Sequence, residues 1–201
     1  MKKAPVAFCL DLEGILLPEI WIQVARRFRV EALKRTTRDE PDYDQLMRWR
    51  LRILRKEGIR LGDIQRVIGR MRPLPGAAAF LNKLKAEGPV IILSDTYHEF
   101  ARPIMGRLGH PALLCNRLEA DRRGFISGYF LRQKNGKLNA VRAIRSLGFH
   151  VRAVGDSYND LGMLKAADRG FFFKPPASIR KDHPKFPVAR NYKELFRLLT
   201  A

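Results

Sequence analysis

Val6-Ala7-Phe8-Cys9-Leu10 is an unbroken apolar run, and it ends abruptly in Asp11-Leu12-Glu13-Gly14. A short run of this kind reads as a strand buried on both faces of a parallel sheet. Val90-Ile91-Ile92-Leu93 repeats the pattern, as do residues 151–154 and 170–173. Helical periodicity separates these runs. Residues 77–87 place apolar side chains at 77, 80, 81 and 84 and stop at Gly88. Residues 138–147 stop at Gly148, and 192–199 close the chain. Thr96 and Glu99 have the spacing of a capping box, which predicts a helix start just after the second run. Strands alternating with helices predict an α/β fold built on a Rossmann-like parallel sheet.

One stretch departs from that rhythm. Residues 20–72 carry three helical patterns and no strand. Pro18 opens the first, with Trp21, Val24, Ala25 and Phe28 on one face. Asp42 is the N-cap of the second, which runs to Lys56 before Gly58. Leu61, Ile64, Val67, Ile68 and Met71 share a face of the third. The expected organisation is a core of residues 1–17 and 75–201, with 18–74 inserted as a helical cap over the strand ends. A β-hairpin is expected at about 113–131, turning at Arg122-Arg123-Gly124.

Composition narrows the function classes. The chain has 201 residues, 46% hydrophobic and 29% charged, which is ordinary globular usage. Its 39 Lys and Arg against 20 Asp and Glu leave a net charge of +19. Such a surface attracts anions without choosing among them. Residues 20–72 hold 15 basic and 7 acidic residues, so the excess is spread along the chain. A nucleic-acid binder more often shows a basic stripe with exposed aromatics, so nucleic acid is the less favoured partner. Two cysteines, Cys9 and Cys115, make no disulfide scaffold and read as buried packing. Lys2-Lys3 and the following apolar residues are interrupted by Asp11 and Glu13 too early for a signal peptide. No apolar run approaches membrane-spanning length. A soluble cytoplasmic protein is the expectation.

Chemistry is concentrated where the strands end. The first run leads into Asp11 and Glu13, the second into Ser94-Asp95-Thr96, and the third into Gly155-Asp156-Ser157-Tyr158-Asn159-Asp160. Ligands bind outside the carboxyl ends of strands in an open parallel sheet. Neighbouring strands would bring several carboxylates into one crevice, where their repulsion favours a hard divalent cation. Any one of these aspartates alone reads more simply as a helix cap. Arg50 is a separate signal. It lies three or four residues from Leu46, Met47, Ile53 and Leu54, on the apolar face of its helix. An arginine there either snorkels outward or meets an anion. Tyr43, Trp49 and His98 read as core or rim.

Asp11-x-Glu13-Gly14, Ser94, a lysine near a helix start and Gly155-Asp156-x-x-Asn159-Asp160 together resemble the four motifs of the haloacid dehalogenase superfamily of phosphotransferases. The resemblance is closest to its phosphoserine phosphatase branch, in particular to bacterial phosphoserine phosphatase/homoserine phosphotransferase enzymes. Leu17 to Ile22, Thr36 to Asp39, Pro41 to Asp44 and Arg50 to Leu54 extend it through the cap, and Leu131 to Lys134 extend it in the core. Glu13 replaces the aspartate common in the superfamily, and this branch uses glutamate there.

The resemblance implies an Mg²⁺-dependent phosphatase acting on phosphoserine through an aspartyl-phosphate, with homoserine as a second phosphoryl acceptor. Asp11 is then the nucleophile and Glu13 the general acid/base. The metal is held by the Asp11 carboxylate, the Glu13 backbone carbonyl and Asp156. Ser94, the backbone N–H of Asp95 and Asn159 hold the phosphate, with the capping box placing the first two at a helix N-terminus. Lys134 and Lys137 both stand near a helix start; Lys137 matches the family's lysine better and is taken here. By the same resemblance Glu19 binds the substrate ammonium and Arg50 its carboxylate, and a homodimer is the expected assembly. Two other readings stay open: a phosphatase of the same superfamily for a different small phosphate ester, and a basic nucleic-acid-binding protein on an α/β scaffold.

Overall fold

A computed structural model describes residues 4–36, 39–40 and 42–201. Thr37, Arg38 and Pro41 of the quoted cap stretches lie outside the described residues. The chain opens with β1 (Val6–Leu10), then α1 (Ile20–Phe28), α2 (Tyr43–Lys56), α3 (Leu61–Arg70) and α4 (Ala77–Glu87). β2 (Val90–Tyr97), α5 (His98–Met105), β3 (Ala112–Ala120), β4 (Ile126–Phe130) and α6 (Gly136–Ser146) follow. The last third holds β5 (His150–Gly155), α7 (Leu161–Ala166), β6 (Arg169–Phe173), α8 (Ala177–Asp182), β7 (Val188–Ala189) and α9 (Tyr192–Thr200).

The strands form one sheet in the order β4-β3-β2-β1-β5-β6-β7, parallel except for the β3–β4 hairpin. β1 lies between β2 and β5, with Leu10 level with both Ile92 and Val154. That register brings Asp11, just past β1, Ser94, within β2, and Asp156, just past β5, to the same edge of the sheet. Alternation along β1 sends Phe8 and Leu10 into one apolar layer and Cys9 into the other. The Cys9 layer holds Val141, Met163 and Ile179 from α6, α7 and α8.

The Phe8 layer continues without a break into the helical stretch. Val24 of α1, Met47 and Leu54 of α2 and Ile64 and Ile68 of α3 share its core with Phe100 and Ile104 of α5. Each large apolar side chain buried this way contributes about 1.5–3 kcal/mol. Asp42 caps α2 by accepting from the Gln45 N–H at 3.0 Å, as its sequence position predicts. β3 and β4 pair as an antiparallel hairpin, with Asp121 gathering the turn through the N–H groups of Arg123 and Phe125.

One local expectation is overturned. Thr96 and Glu99 do not form a capping box. β2 runs on through Tyr97, and α5 begins only at His98 without a side-chain cap. The Glu99 carboxylate instead accepts from the Leu118 N–H of β3 at 2.7 Å. Tertiary pairing thus outcompetes a local cap.

Candidate active site

The loop after β1 is built to present its carboxylates. Leu16 and Leu17 donate to the Leu12 carbonyl, and Gly14 N–H donates to that of Leu17. Tyr192 of α9 pins the loop by donating to the Ile15 carbonyl at 2.7 Å. Gly14 adopts φ +78°, and a Cβ there would overlap the Asp156 carboxylate. Glycine is therefore required twice over, by conformation and by the approach of the β5 loop.

Ser94 lies inside β2 rather than at a helix N-terminus. Leu93 pairs with Leu114 and Tyr97 with Asn116, so Ser94, Asp95 and Thr96 stand opposite Cys115 alone. This irregularity replaces the predicted helix start as the device that lifts Ser94 and Asp95 out of the regular ladder. Asn116 holds the distorted segment by donating to the Asp95 carbonyl at 3.0 Å, and accepts from the Arg132 N–H at 3.0 Å.

Lys137, in the first turn of α6, is buried with its Nζ 2.9 Å from Asp11 Oδ1, 2.8 Å from Asp160 Oδ1 and 3.6 Å from Asp95 Oδ2. Burial opposes its charge, but Asp11, Asp160 and Asp95 outweigh that and hold the ammonium well above its usual range. Lys134 is exposed. Asn159 donates to Asp95 Oδ2 at 2.9 Å, linking the β2 and β5 loops.

Asp11, Asp156 and Asp160 can bring one carboxylate oxygen each to within 4.8 Å of one another. Burial and then repulsion from Asp160 push the Asp11 carboxyl well up, against the pull of Lys137. Burial, Asp160 and Glu19 push Asp156 up to about 6. Burial and Glu19 push Glu13 up to about 8, although its Oε2 accepts from the Ile20 N–H at 2.7 Å. A hard, oxygen-seeking divalent cation suits such a crowd of carboxylates.

Asp160 belongs to the fourth motif, but the motif alone assigns it no role. It is fully buried and spends Oδ1 on Lys137 and Oδ2 on the N–H groups of Asp156 and Ser157. A Cβ on Gly155 would overlap it, so this glycine makes room for the carboxylate. Asp160 therefore orients its neighbours and leaves Asp11 and Asp156 to face a ligand. The spacing Asp156-x-x-x-Asp160 was the available signal, but an aspartate there also reads as a helix cap.

Arg50 does not snorkel. It is 5% exposed, its guanidinium lies 4.4 Å over the Trp21 ring, and one Nη donates to the Arg35 carbonyl at 2.6 Å. Its Nε has no hydrogen-bond partner, and among the described residues no carboxylate pairs with it. Burial pushes its pKa down from a value so high that the charge is kept. Glu19 precedes α1 and makes no cap bond to it.

All nine residues singled out in the sequence line one cavity of about 230 Å³. Asp11, Glu13, Ser94, Asp95, Lys137, Asp156 and Asn159 form its floor, and Glu19 and Arg50 reach it from the helical stretch. Trp21, Tyr43 and Tyr97 are among the other residues that line it. Among the described residues no helix is long and apolar enough to cross a membrane.

A parallel α/β sheet whose strand ends gather carboxylates, a buried lysine and a serine around one cavity defines a class of hydrolase. The chain belongs to the haloacid dehalogenase-like hydrolase family, whose sequence profile matches residues 12–165. It is 50% identical to phosphoserine phosphatase ThrH of Pseudomonas aeruginosa, over 94% of this chain and 92% of that protein. It is 49% identical to a phosphoserine phosphatase of Pseudomonas syringae pv. tomato, over 93% of this chain and 79% of that one. Among solved structures, a phospho-aspartyl intermediate analogue of phosphoserine phosphatase superposes with a TM-score of 0.79 at 20% identity, covering 98% of this chain and 99% of that one. At that identity the likeness carries the fold.

Proposed function

We propose that the protein is an Mg²⁺-dependent phosphoserine phosphatase that works through an aspartyl-phosphate on Asp11, and that homoserine competes with water for the phosphoryl group. One observation carries this reading. A buried guanidinium with an unpaired Nε and an acidic side chain, Arg50 and Glu19, share a cavity with the carboxylate–lysine cluster. That pairing suits the carboxylate and ammonium of an amino acid whose phosphate points at Asp11. The names of the two Pseudomonas relatives agree with it.

Asp11 attacks phosphorus, a P–O bond forms to its carboxylate, and the bond to the serine oxygen breaks. Glu13, whose carboxyl burial and Glu19 push up to about 8, gives a proton to the leaving oxygen. It then takes a proton from water or from the homoserine hydroxyl, whose oxygen attacks phosphorus and frees Asp11. Lys137 and the Ser94 hydroxyl neutralise and hold the phosphoryl oxygens, with Asn159 and the Asp95 N–H beside them. Asp11, Asp156 and the Glu13 carbonyl would hold the metal, which supplies charge neutralisation for an anion attacking an anion. Residues 18–74 act as the cap, which sets how well the acceptor is held and water excluded. The protein acts in the cytoplasm as a homodimer.

The test incubates the protein with Mg²⁺ and phosphoserine, with and without homoserine, and measures free phosphate and O-phosphohomoserine. Release of phosphate, diverted partly to O-phosphohomoserine, is expected. Neither product appearing rejects the reading. Glu19→Ala and Arg50→Ala should each raise KM for phosphoserine far more than for an aryl phosphate. Equal effects on both reject the amino-acid assignment.

A further inference from the structure

Two phenols meet at the cavity wall. Tyr43 opens α2, Tyr97 closes β2, and their hydroxyl oxygens lie 2.6 Å apart. Tyr97 is fully buried, Tyr43 half-buried, and both face the cavity that holds Arg50. A proton count follows. Two hydroxyls bring two protons, and only one lies between the oxygens. Among the described residues no acceptor takes the second. Tyr129, whose ring meets both of theirs edge-on, spends its own proton on Asp44. Burial pushes both phenols upward, so both stay protonated donors.

Tyr43 and Arg50 are seven residues apart, two turns on one face of α2, about 10 Å along the axis. Helical side chains lean toward the N-terminus, so Arg50 reaches back toward Tyr43. One Nη of Arg50 is already committed to the Arg35 carbonyl and another contacts Met47 Sδ at 3.9 Å. A carboxylate accepts more hydrogen bonds than this partly committed guanidinium supplies.

We propose that the Tyr43–Tyr97 hydroxyl pair is a specificity determinant: Tyr97 donates to Tyr43, and Tyr43 donates its freed proton to the substrate carboxylate beside Arg50. The inference rests on the amino-acid reading of the site. It adds a consequence, because Tyr43 belongs to the helical stretch and Tyr97 to the sheet. A substrate bearing a carboxylate orients the hydroxyl chain across that junction, and one without it does not. Bonds in such a chain reinforce each other.

The test uses Tyr43→Phe and Tyr97→Phe in the full chain, since both keep the rings and their packing. KM and kcat are measured for phosphoserine, and Ki for O-phosphoethanolamine and inorganic phosphate, which lack the carboxylate. Tyr43→Phe is expected to raise KM for phosphoserine about tenfold with kcat within about twofold, as for loss of a hydrogen bond to a charged group. Tyr97→Phe should raise it less, since Tyr43 keeps its own proton. Both Ki values should stay unchanged, which also reports an intact fold. An unchanged KM, or an equal rise in KM and both Ki values, overturns the proposal. Wild-type protein that binds phosphate but does not turn over phosphoserine overturns the functional reading instead, and this inference with it.

Discussion

The ammonium of Lys137 stands 2.9 Å from Oδ1 of Asp11, and both side chains are closed off from solvent. The same ammonium holds Asp160. Removing its charge leaves buried carboxylates facing each other unpaired. Lys137→Met should therefore cost about 3 kcal/mol of stability, read as a lower denaturation midpoint without metal. Phosphatase activity should fall by at least about 100-fold. Wild-type activity in the folded variant would show that the lysine does not serve the phosphoryl group.

Asp160 acts through its neighbours, so its loss should appear in metal use. Asp160→Asn keeps the shape but weakens the hold on Lys137 and on the Asp156 and Ser157 N–H groups. The Mg²⁺ concentration for half-maximal turnover should rise about 10- to 100-fold, as for other residues that orient metal ligands. Titration of activity with Mg²⁺ checks this, and an unchanged midpoint contradicts it.

Gly14→Ala puts a methyl group where the Asp156 carboxylate lies, on a backbone at φ +78°. Backbone strain alone costs about 1 kcal/mol. Displacing Asp156 should cost more in turnover than in stability: a Tm drop of about 2–4 °C, against an activity loss beyond tenfold. A variant with full activity would mean that Asp156 need not approach Gly14.

Much of this fold is legible because its strands are uninterrupted apolar runs with polar ends. β1, β2, β5 and β6 follow directly, and so does the convergence of Asp11, Ser94 and Asp156. β7 is two residues long, and α7 and α8 have six each, too short for periodicity to register. The end of β2 misleads because Ser94 to Thr96 look like a helix cap while they still belong to a strand. Arg50 is conspicuous from its helix face. Its partners are invisible in sequence, since the Trp21 ring and the Arg35 carbonyl reach it only through packing. The Tyr43–Tyr97 contact spans 54 residues and has no local signature.

Acid should attack the far end of β5. Burial pushes the Asp168 carboxyl up, but the Val151 N–H and the paired Arg145 guanidinium outweigh it and hold it below the usual range. The unfolded chain has the ordinary value near about 3.9. Stability from Asp168 is thus complete above that value and lost as pH falls through the lower folded one. Asp168→Asn should lower the denaturation midpoint at pH 7 and narrow its gap to wild type below about pH 4. A gap that widens in acid contradicts the assignment.

The central claim is that Asp11 takes the phosphoryl group. Acid quenching during turnover of phosphoserine, followed by peptide mass spectrometry, measures this directly. A phosphoryl adduct on Asp11 is expected, absent from Asp11→Asn and from samples without substrate. Steady turnover with the adduct on another residue, or wild-type turnover by Asp11→Asn, would contradict it.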